Sequence, residues 1–121
     1  MSGTGEAARF TELPWVRLQA ERQLGFTPSP GTLNVTPVSS ADQAAWQALK
    51  STSGITLSPE PGYCAARCYS VAVNGWEPAA LVVPEVPGYP EDRLEVLAPV
   101  RLRDQLFLAD GSRVTIESSN Q

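Results

Sequence analysis

The chain has 121 residues and a mass of 13.0 kDa, which is the size of one domain, because typical domains contain about 100–150 residues. It contains no histidine, which excludes Ser-His-Asp and Cys-His catalysis and histidine metal sites. A net charge of -4 with a pI near 4.7 argues against nucleic acid as a partner, and no apolar run approaches the roughly 18 residues that cross a membrane.

The basic residues and the cysteines exclude further kinds of binding site. Of the nine basic residues only Lys50 is a lysine, so the Gly-Lys-Ser/Thr phosphate loop is absent and phosphate chemistry would rest on arginine, backbone amides or metal. Residues 1–6 lack the basic and apolar regions of a secretory signal, which predicts a reducing, cytoplasmic location. Cys64 and Cys68 are therefore expected to be thiols that pack on one face of a strand, since two soft ligands without histidine make a poor zinc site.

Eleven prolines and nine glycines divide the chain into short segments, which is typical of a small barrel or an α+β domain. The elements predicted in the first half are, in order, a helix over 15–24, a strand over 33–38, a helix over 41–50 and a strand over 55–57. Helical spacing places Trp15 and Leu18 on the buried side of the first helix. In the second helix Ser40 is the expected N-cap, and Trp46 and Leu49 are the expected buried contacts.

The second half is richer in strands than in helices. Its predicted elements are strands over 62–73, 78–83, 94–97 and 114–117, an exposed loop over 84–92 and a short helix over 99–106. Asn74 and Gly75 both tolerate positive φ and predict a hairpin turn. Pro99 suits the first position of the helix, and Asp110 and Gly111 turn the chain into the last strand. These elements together predict a mainly β fold.

Thr32 and Asn34 form the first candidate site. They are two apart on an extended chain, so their side chains point to the same side. Two neutral oxygens on one face suit Mg²⁺, a hard octahedral cation that is often held by few protein ligands together with phosphate oxygens. From this spacing alone, a turn in which both side chains bond local backbone is the favoured alternative.

Two segments are candidates for phosphate binding. Residues 3–6, a Gly-Thr-Gly-Glu sequence, let the backbone approach a phosphate closely, although a frayed terminus is the simpler interpretation. The last predicted helix follows a strand, so its free amides, with Arg101 and Arg103 close by, form an anion site. Glu95, inside that strand, is either an acceptor for a ligand hydroxyl or a solvated carboxylate beside Arg93.

These segments belong to a set of motifs that is more specific in combination than any one motif alone. The combination consists of Gly3-Thr4-Gly5-Glu6, Leu24-Gly25-Phe26, Gly31-Thr32-Leu33-Asn34, Leu94-Glu95, Ala98-Pro99-Val100-Arg101-Leu102-Arg103 and Asp110-Gly111. Taken in order, these motifs resemble the CTP-dependent riboflavin kinases known mainly from archaea. The resemblance covers nearly the whole chain.

The resemblance implies a fold and an activity. The fold would be one domain over residues 1–121, a six-stranded cradle-loop barrel with short helices, related in shape to riboflavin-synthase-like barrels. Members of the family carry a β-strand ahead of the glycine-rich loop, and the resemblance implies a barrel without that strand here. The activity would be transfer of the γ-phosphoryl group of CTP to the 5′-hydroxyl of riboflavin with Mg²⁺, giving FMN and CDP.

The resemblance also assigns residues by position. Thr32 and Asn34 match magnesium ligands, and Glu95 matches a flavin-contacting carboxylate that could orient the attacking hydroxyl as a catalytic residue. Two stretches match the nucleotide-contacting segments of the family. The first is Gly3, Thr4, Gly5, Glu6, Ala7 and Ala8, and the second is Val100, Arg101, Leu102 and Arg103. Phosphoryl transfer needs alignment and charge neutralisation, so the absence of histidine is compatible with this activity.

Two other interpretations stay open at this stage. One is a noncatalytic relative that binds a nucleotide or a flavin as a sensor or accessory module. The other is a structural barrel without a ligand. Neither nucleic acid nor a membrane is an expected partner in any of the three.

Overall fold

A curled antiparallel sheet forms the centre of the computed structural model, which describes residues 11–62 and 64–119. The helices are α1 (Pro14–Gln23), α2 (Ser40–Lys50) and α3 (Leu102–Gln105), and the strands are β1 (Leu33–Val35), β2 (Ile55–Leu57), β3 (Ala66–Val73), β4 (Trp76–Pro84), β5 (Leu94–Leu97) and β6 (Ile116–Ser118). No helix within these described ranges is long and apolar enough to cross a membrane.

The strand order explains the curvature of the sheet. The order is β1-β5-β4-β3-β2, and every pairing is antiparallel. The outer edge of β3 pairs with β2 along its first half and with β6 along its second half. The resulting half-barrel with short helices confirms the predicted mainly β fold and is consistent with a six-stranded barrel.

Alternation along the central strands sorts their side chains onto the two faces of the sheet. Ala79 and Leu81 of β4 belong to one core cluster, and Ala80 and Val82 belong to the other. The first cluster is centred on Trp46 of α2 and the second on Trp15 of α1; we call them the Trp46 cluster and the Trp15 cluster. Each face of the sheet therefore packs against one helix through a buried tryptophan.

The buried side of α1 differs from the predicted one. Trp15, Val16 and Ala20 are buried, whereas 45% of Leu18 is exposed. At 3.6 residues per turn Leu18 lies about 200° around the helix from Val16, so a sheet that contacts Val16 leaves Leu18 outside. The prediction that Leu18 faces the core was wrong.

Helix α2 contacts the sheet through one aromatic side chain and through its C-terminus. Trp46 is 5% exposed and packs edge-to-face on Tyr69 with ring centroids 6.4 Å apart. The Tyr69 hydroxyl donates to the carbonyl of Thr52 at 2.8 Å, and Arg67 donates to the carbonyl of Lys50 at 2.8 Å. These donors satisfy carbonyls that no helical amide can reach.

Several predicted boundaries shift by a few residues. The cap of α2 is Ser39, which accepts from the amide of Asp42 at 3.0 Å, and not Ser40. Helix α3 begins at Leu102 and not at Pro99, because the backbone of Arg101 is still extended. Strand 62–73 begins at Ala66, and the last strand lies two residues later than its predicted start. The Asn74-Gly75 hairpin turn is confirmed, with φ of 51° and 79°.

Phe107 has an unusual backbone conformation at the end of α3. Its φ is 54°, its side chain is 93% exposed, and it follows the C-cap Leu106 at a position that glycine or asparagine usually occupies. The amide of Leu108 closes the turn on the carbonyl of Arg103 at 2.8 Å. A bulky residue is therefore held in the left-handed region without burial to compensate.

Phe107→Asn should stabilise the protein, because asparagine tolerates positive φ and no packing is lost. We expect a gain of about 0.5–1 kcal/mol, or about 2–6 °C in the melting temperature. The matched control is Val38→Asn at another exposed apolar residue, 71% exposed and without positive φ, where we expect almost no change. A thermal melt that shows equal effects for the two variants would contradict the backbone explanation.

Candidate functional site

The pairing of β1 with β5 builds the site. Asn34 lies directly opposite Glu95, and Leu33 opposite Val96. Leu33 packs against the Trp46 cluster, so alternation turns the side chains of Asn34 and Glu95 to the other side of the sheet. Two segments far apart in sequence therefore present polar groups side by side.

Residues 29–31 fix the entry into β1. The amide of Ser29 donates to the carbonyl of Ala98 at 2.7 Å, which ties this segment to the end of β5. The amide of Gly31 donates to the buried hydroxyl of Thr11 at 2.9 Å. Gly31 has a φ of 87°, a conformation that other residues rarely adopt, and it turns the chain so that Thr32 leads directly into the strand.

Three of the predicted site residues form one hydrogen-bonded cluster. The Thr32 hydroxyl lies 3.0 Å from Oε1 of Glu95 and 3.1 Å from Oδ1 of Asn34. All three side chains are half-buried. The sequence predicted that the side chains of Thr32 and Asn34 share one side, and in the structure Glu95 lies beside them.

Tyr89 is a member of this cluster that the sequence analysis missed. Its hydroxyl donates a hydrogen bond to Oε2 of Glu95. Burial, and then this hydrogen bond, raise the pKa of Tyr89 well above its usual range, so the hydroxyl keeps its proton and acts as a donor. The guanidinium of Arg93 lies over the Tyr89 ring, 5.8 Å from its centroid.

A local signal for the position of Tyr89 exists in the sequence. Val86, Pro87, Gly88 and Tyr89 have the pattern of a type II turn, with proline second and glycine third. The structure has this turn, with φ of 81° at Gly88 and the amide of Tyr89 3.1 Å from the carbonyl of Val86. The pattern predicts where the chain reverses, but not that the following hydroxyl reaches Glu95.

A cavity of about 1810 Å³ adjoins the cluster. Thr32 and Asn34 are among its lining residues and Glu95 and Tyr89 are not, and its apolar lining belongs to the Trp46 cluster. Its volume exceeds the roughly 300–1,000 Å³ of a typical site for one small molecule. Its other lining includes all four residues predicted as the second nucleotide segment, Val100, Arg101, Leu102 and Arg103. The cavity thus joins two of the sites predicted separately from the sequence.

The two arginines of that segment are paired with aspartates. Arg103 contacts Asp110 at 2.5 Å and Arg101 contacts Asp104 at 3.8 Å, and all four side chains are largely exposed. The hydrogen bond from Arg103 lowers the pKa of Asp110. Because α3 has a single turn, an anion at this place would be held by the arginines more than by the helix amides. The other predicted nucleotide stretch, residues 3–8, lies outside the described residues.

The donor set fits a hard cation. The described residues hold no group of three or more His, Cys, Asp or Glu side chains that could bind a metal, so a candidate site here depends on other oxygens. Adjacent ligand oxygens of an Mg²⁺ octahedron with bonds of about 2.0–2.1 Å are about 2.9 Å apart. The separation of 3.1 Å between Thr32 Oγ1 and Asn34 Oδ1 is close to that edge.

Comparison with known proteins identifies the family. The family CTP-dep_RFKase, described as a domain of unknown function, DUF120, matches residues 1–117. The chain belongs to this family. The expectation from the sequence motifs is thereby confirmed.

Curated relatives of this family member are named riboflavin kinase. One from Methanosarcina barkeri is 38% identical over 125 residues, covering 100% of this chain and 55% of the relative. One from Pyrobaculum arsenaticum is 38% identical over 97% of this chain and 57% of the relative, and one from Saccharolobus solfataricus is 33% identical over 97% and 69%. The chain spans about half the length of the first two relatives.

The two cysteines do not share a strand face as predicted. Because β3 begins at Ala66, Cys64 lies before the strand and is exposed, whereas Cys68 is buried in the Trp15 cluster. Both are free thiols, as expected. Burial raises the pKa of Cys68 to about 12. Cys68 is therefore a core residue, as the packing interpretation predicts, and Cys64 does not share its burial.

The thiols should react in two separate stages. In the native protein at neutral pH, a disulfide reagent should modify one thiol per chain, because the thiolate is the nucleophile and Cys68 is neither ionised nor accessible. Denaturant should release the second thiol. Cys64→Ser should remove the fast stage alone, and rapid reaction of both thiols in the native protein would contradict the buried position of Cys68.

Proposed function

We propose that this protein transfers the γ-phosphoryl group of CTP to the 5′-hydroxyl of riboflavin and forms FMN and CDP. The convergence of Thr32, Asn34 and Glu95 at one edge of the cavity is the observation that carries the proposal. Family membership supports it, since the curated relatives are riboflavin kinases. The volume of the cavity supports a reaction between two bound molecules.

Charge on the cavity wall supports a phosphorylated ligand. Arg101, Arg103 and Arg113 line the cavity, and Arg113 makes no ion pair or hydrogen bond within the described part of the chain. Arginine binds phosphate through two parallel hydrogen bonds, which a compact ammonium group cannot do. These side chains would hold the phosphates of the nucleotide, together with residues 3–8.

Thr32 and Asn34 would hold Mg²⁺ in this reaction. When bound, the ion supplies positive charge that neutralises phosphate oxygens. The protein contributes the placement of two oxygens on a paired strand, so that little reorganisation is needed when the ion and the nucleotide enter.

Glu95 would orient the attacking hydroxyl of riboflavin. A carboxylate offers about four acceptor positions, and Thr32 and Tyr89 use two of them. The remaining positions are free to accept a hydrogen bond from a hydroxyl group of the substrate. Because Glu95 lies within hydrogen-bond distance of Thr32, a hydroxyl held by its free positions would be beside the residues that would hold Mg²⁺.

The decisive test is FMN formation by purified protein with riboflavin, Mg²⁺ and each of CTP, ATP, GTP and UTP. We expect turnover with CTP and little with ATP. Equal or better use of ATP would contradict the CTP-dependent assignment. No turnover with any nucleotide, with CDP or FMN still raising the melting temperature, would instead support the noncatalytic binding module.

Thr32→Ala and Asn34→Ala should each lower turnover by about 10- to 1,000-fold, because each removes one oxygen from the predicted metal site. Thr56→Ala, at an exposed residue of β2 outside the cavity, is the matched control and should leave turnover unchanged. Turnover is measured at limiting Mg²⁺ after circular dichroism confirms the fold. Wild-type rates in both site variants would refute the role of this pair.

A further inference from the structure

We infer that Tyr89 is a positioning residue for the cation site. Its hydroxyl holds Glu95 in the orientation that accepts the Thr32 proton, and this leaves the lone pairs of Thr32 to face a cation together with the oxygen of Asn34. The inference rests on the metal role assigned to Thr32 and Asn34 in the proposed function. It adds a residue that touches neither the cation nor the cavity.

The argument begins with the single proton of the Thr32 hydroxyl. Two acceptors lie within reach, Glu95 Oε1 at 3.0 Å and Asn34 Oδ1 at 3.1 Å, and only one can receive a full hydrogen bond. A charged carboxylate is the stronger acceptor. With the proton on the Glu95 side, the oxygens of Thr32 and Asn34 face each other as two acceptors, and a cation satisfies both.

That outcome requires Glu95 to stay in place. Oε1 contacts Thr32, and Oε2 receives the hydroxyl of Tyr89, so both carboxylate oxygens are held from different elements. Without Tyr89 the carboxylate can rotate about its last side-chain bonds, and Arg93, which lies over the Tyr89 ring, is a cation that would compete for it. In the structure the guanidinium of Arg93 lies over the Tyr89 ring, so Tyr89 also interacts with the cation that would compete for Glu95.

Tyr89 is itself held firmly by the loop that carries it. The turn at Gly88 fixes the chain before it, and the carbonyl of Glu91 accepts from Trp46 Nε1 at 3.1 Å and from Lys50 Nζ at 2.8 Å after it. The loop is therefore attached to α2 two residues beyond Tyr89. A hydroxyl on so constrained a segment can hold a carboxylate in one orientation.

The position of the four residues relative to the cavity supports action through Thr32. Thr32 and Asn34 line the cavity, whereas Glu95 and Tyr89 do not, and Tyr89 reaches Thr32 only through Glu95. Residues that orient a metal ligand from behind are worth about 10- to 100-fold in metal affinity in known metal sites. Tyr89→Phe removes the hydroxyl and keeps the ring under Arg93, so it isolates this contribution.

The test uses Mn²⁺ alone as a paramagnetic probe, with no nucleotide and no flavin. The readout is broadening of the side-chain amide signal of Asn34 in the spectrum of labelled protein. Tyr89→Phe should need about 10-fold more Mn²⁺ for half-maximal broadening. Tyr69→Phe is the matched control, since it loses the same atom from a hydroxyl that bonds backbone carbonyls at the end of α2. It should behave as wild type.

A second variant and a kinetic measurement keep the inference falsifiable. Glu95→Gln should weaken Mn²⁺ broadening in the same direction, because its neutral oxygen is a poorer acceptor for the Thr32 proton. In turnover, Tyr89→Phe should raise the Mg²⁺ concentration for half-maximal rate by about 10-fold; a loss of rate at saturating Mg²⁺, where Glu95 also orients the substrate hydroxyl, would come in addition to this shift. A lower saturating rate with unchanged Mg²⁺ dependence would overturn the inference.

The outcomes separate this inference from the proposed function. Absence of FMN formation by the wild type, with the Tyr89→Phe shift in Mn²⁺ broadening intact, would remove the kinase proposal and leave the positioning role standing. Normal FMN formation with identical broadening in Tyr89→Phe and wild type would remove the positioning role alone. No broadening of Asn34 in the wild type at millimolar Mn²⁺ would overturn the cation site, and this inference with it.

Discussion

The antiparallel register between β1 and β5 is the constraint on which the candidate site depends. It places Asn34 opposite Glu95 and brings the Thr32 hydroxyl within 3.0 Å of the carboxylate. A slip of one residue would turn Asn34 toward the Trp46 cluster and expose the apolar side chains that now pack there. Burial of Leu33 and Val35 against that cluster therefore specifies the polar geometry on the opposite side.

A second set of contacts fixes the loop that carries Tyr89. The Trp46 ring of α2 packs on the Tyr69 ring of β3, and Trp46 and Lys50 of the same helix donate to the carbonyl of Glu91. The position of this loop therefore depends on α2, and the position of α2 depends on its packing against β3. The helix is more than a cover for the sheet, because it joins the core to the polar cluster at Glu95.

Local signals in the sequence were sufficient for many elements. Strands 55–57 and 94–97 were predicted with their observed bounds, and Asn74-Gly75 forms the expected hairpin turn. Each of these features is determined by residues close together in the sequence, through strand alternation or turn preference. The shared side of Thr32 and Asn34 follows from strand geometry in the same way.

The missed features depend on partners that are distant in sequence. Whether Leu18 is buried is decided by which side of α1 meets the sheet, and its own helix does not encode that choice. The hydroxyl of Tyr89 reaches Glu95 only because the loop is tied to α2, and the turn pattern alone contains no information on this contact. Helix α3 starts late because the chain stays extended through Arg101, after Ala98 has bonded Ser29 across the site.

Different polar groups line the two ends of the cavity, and this bears on how a chain without histidine could handle phosphate. In the proposed function the oxygens of Thr32 and Asn34 at the β1 end would meet the cation, while Arg101 and Arg103 at the α3 end would meet phosphate. The aspartates that pair with the arginines are exposed, so these ion pairs are weak and a multiply charged phosphate can displace them. A metal–nucleotide complex carries both kinds of charge along its length. In the proposed reaction its binding would use both ends of the cavity, so free metal or free nucleotide would each make only part of these contacts.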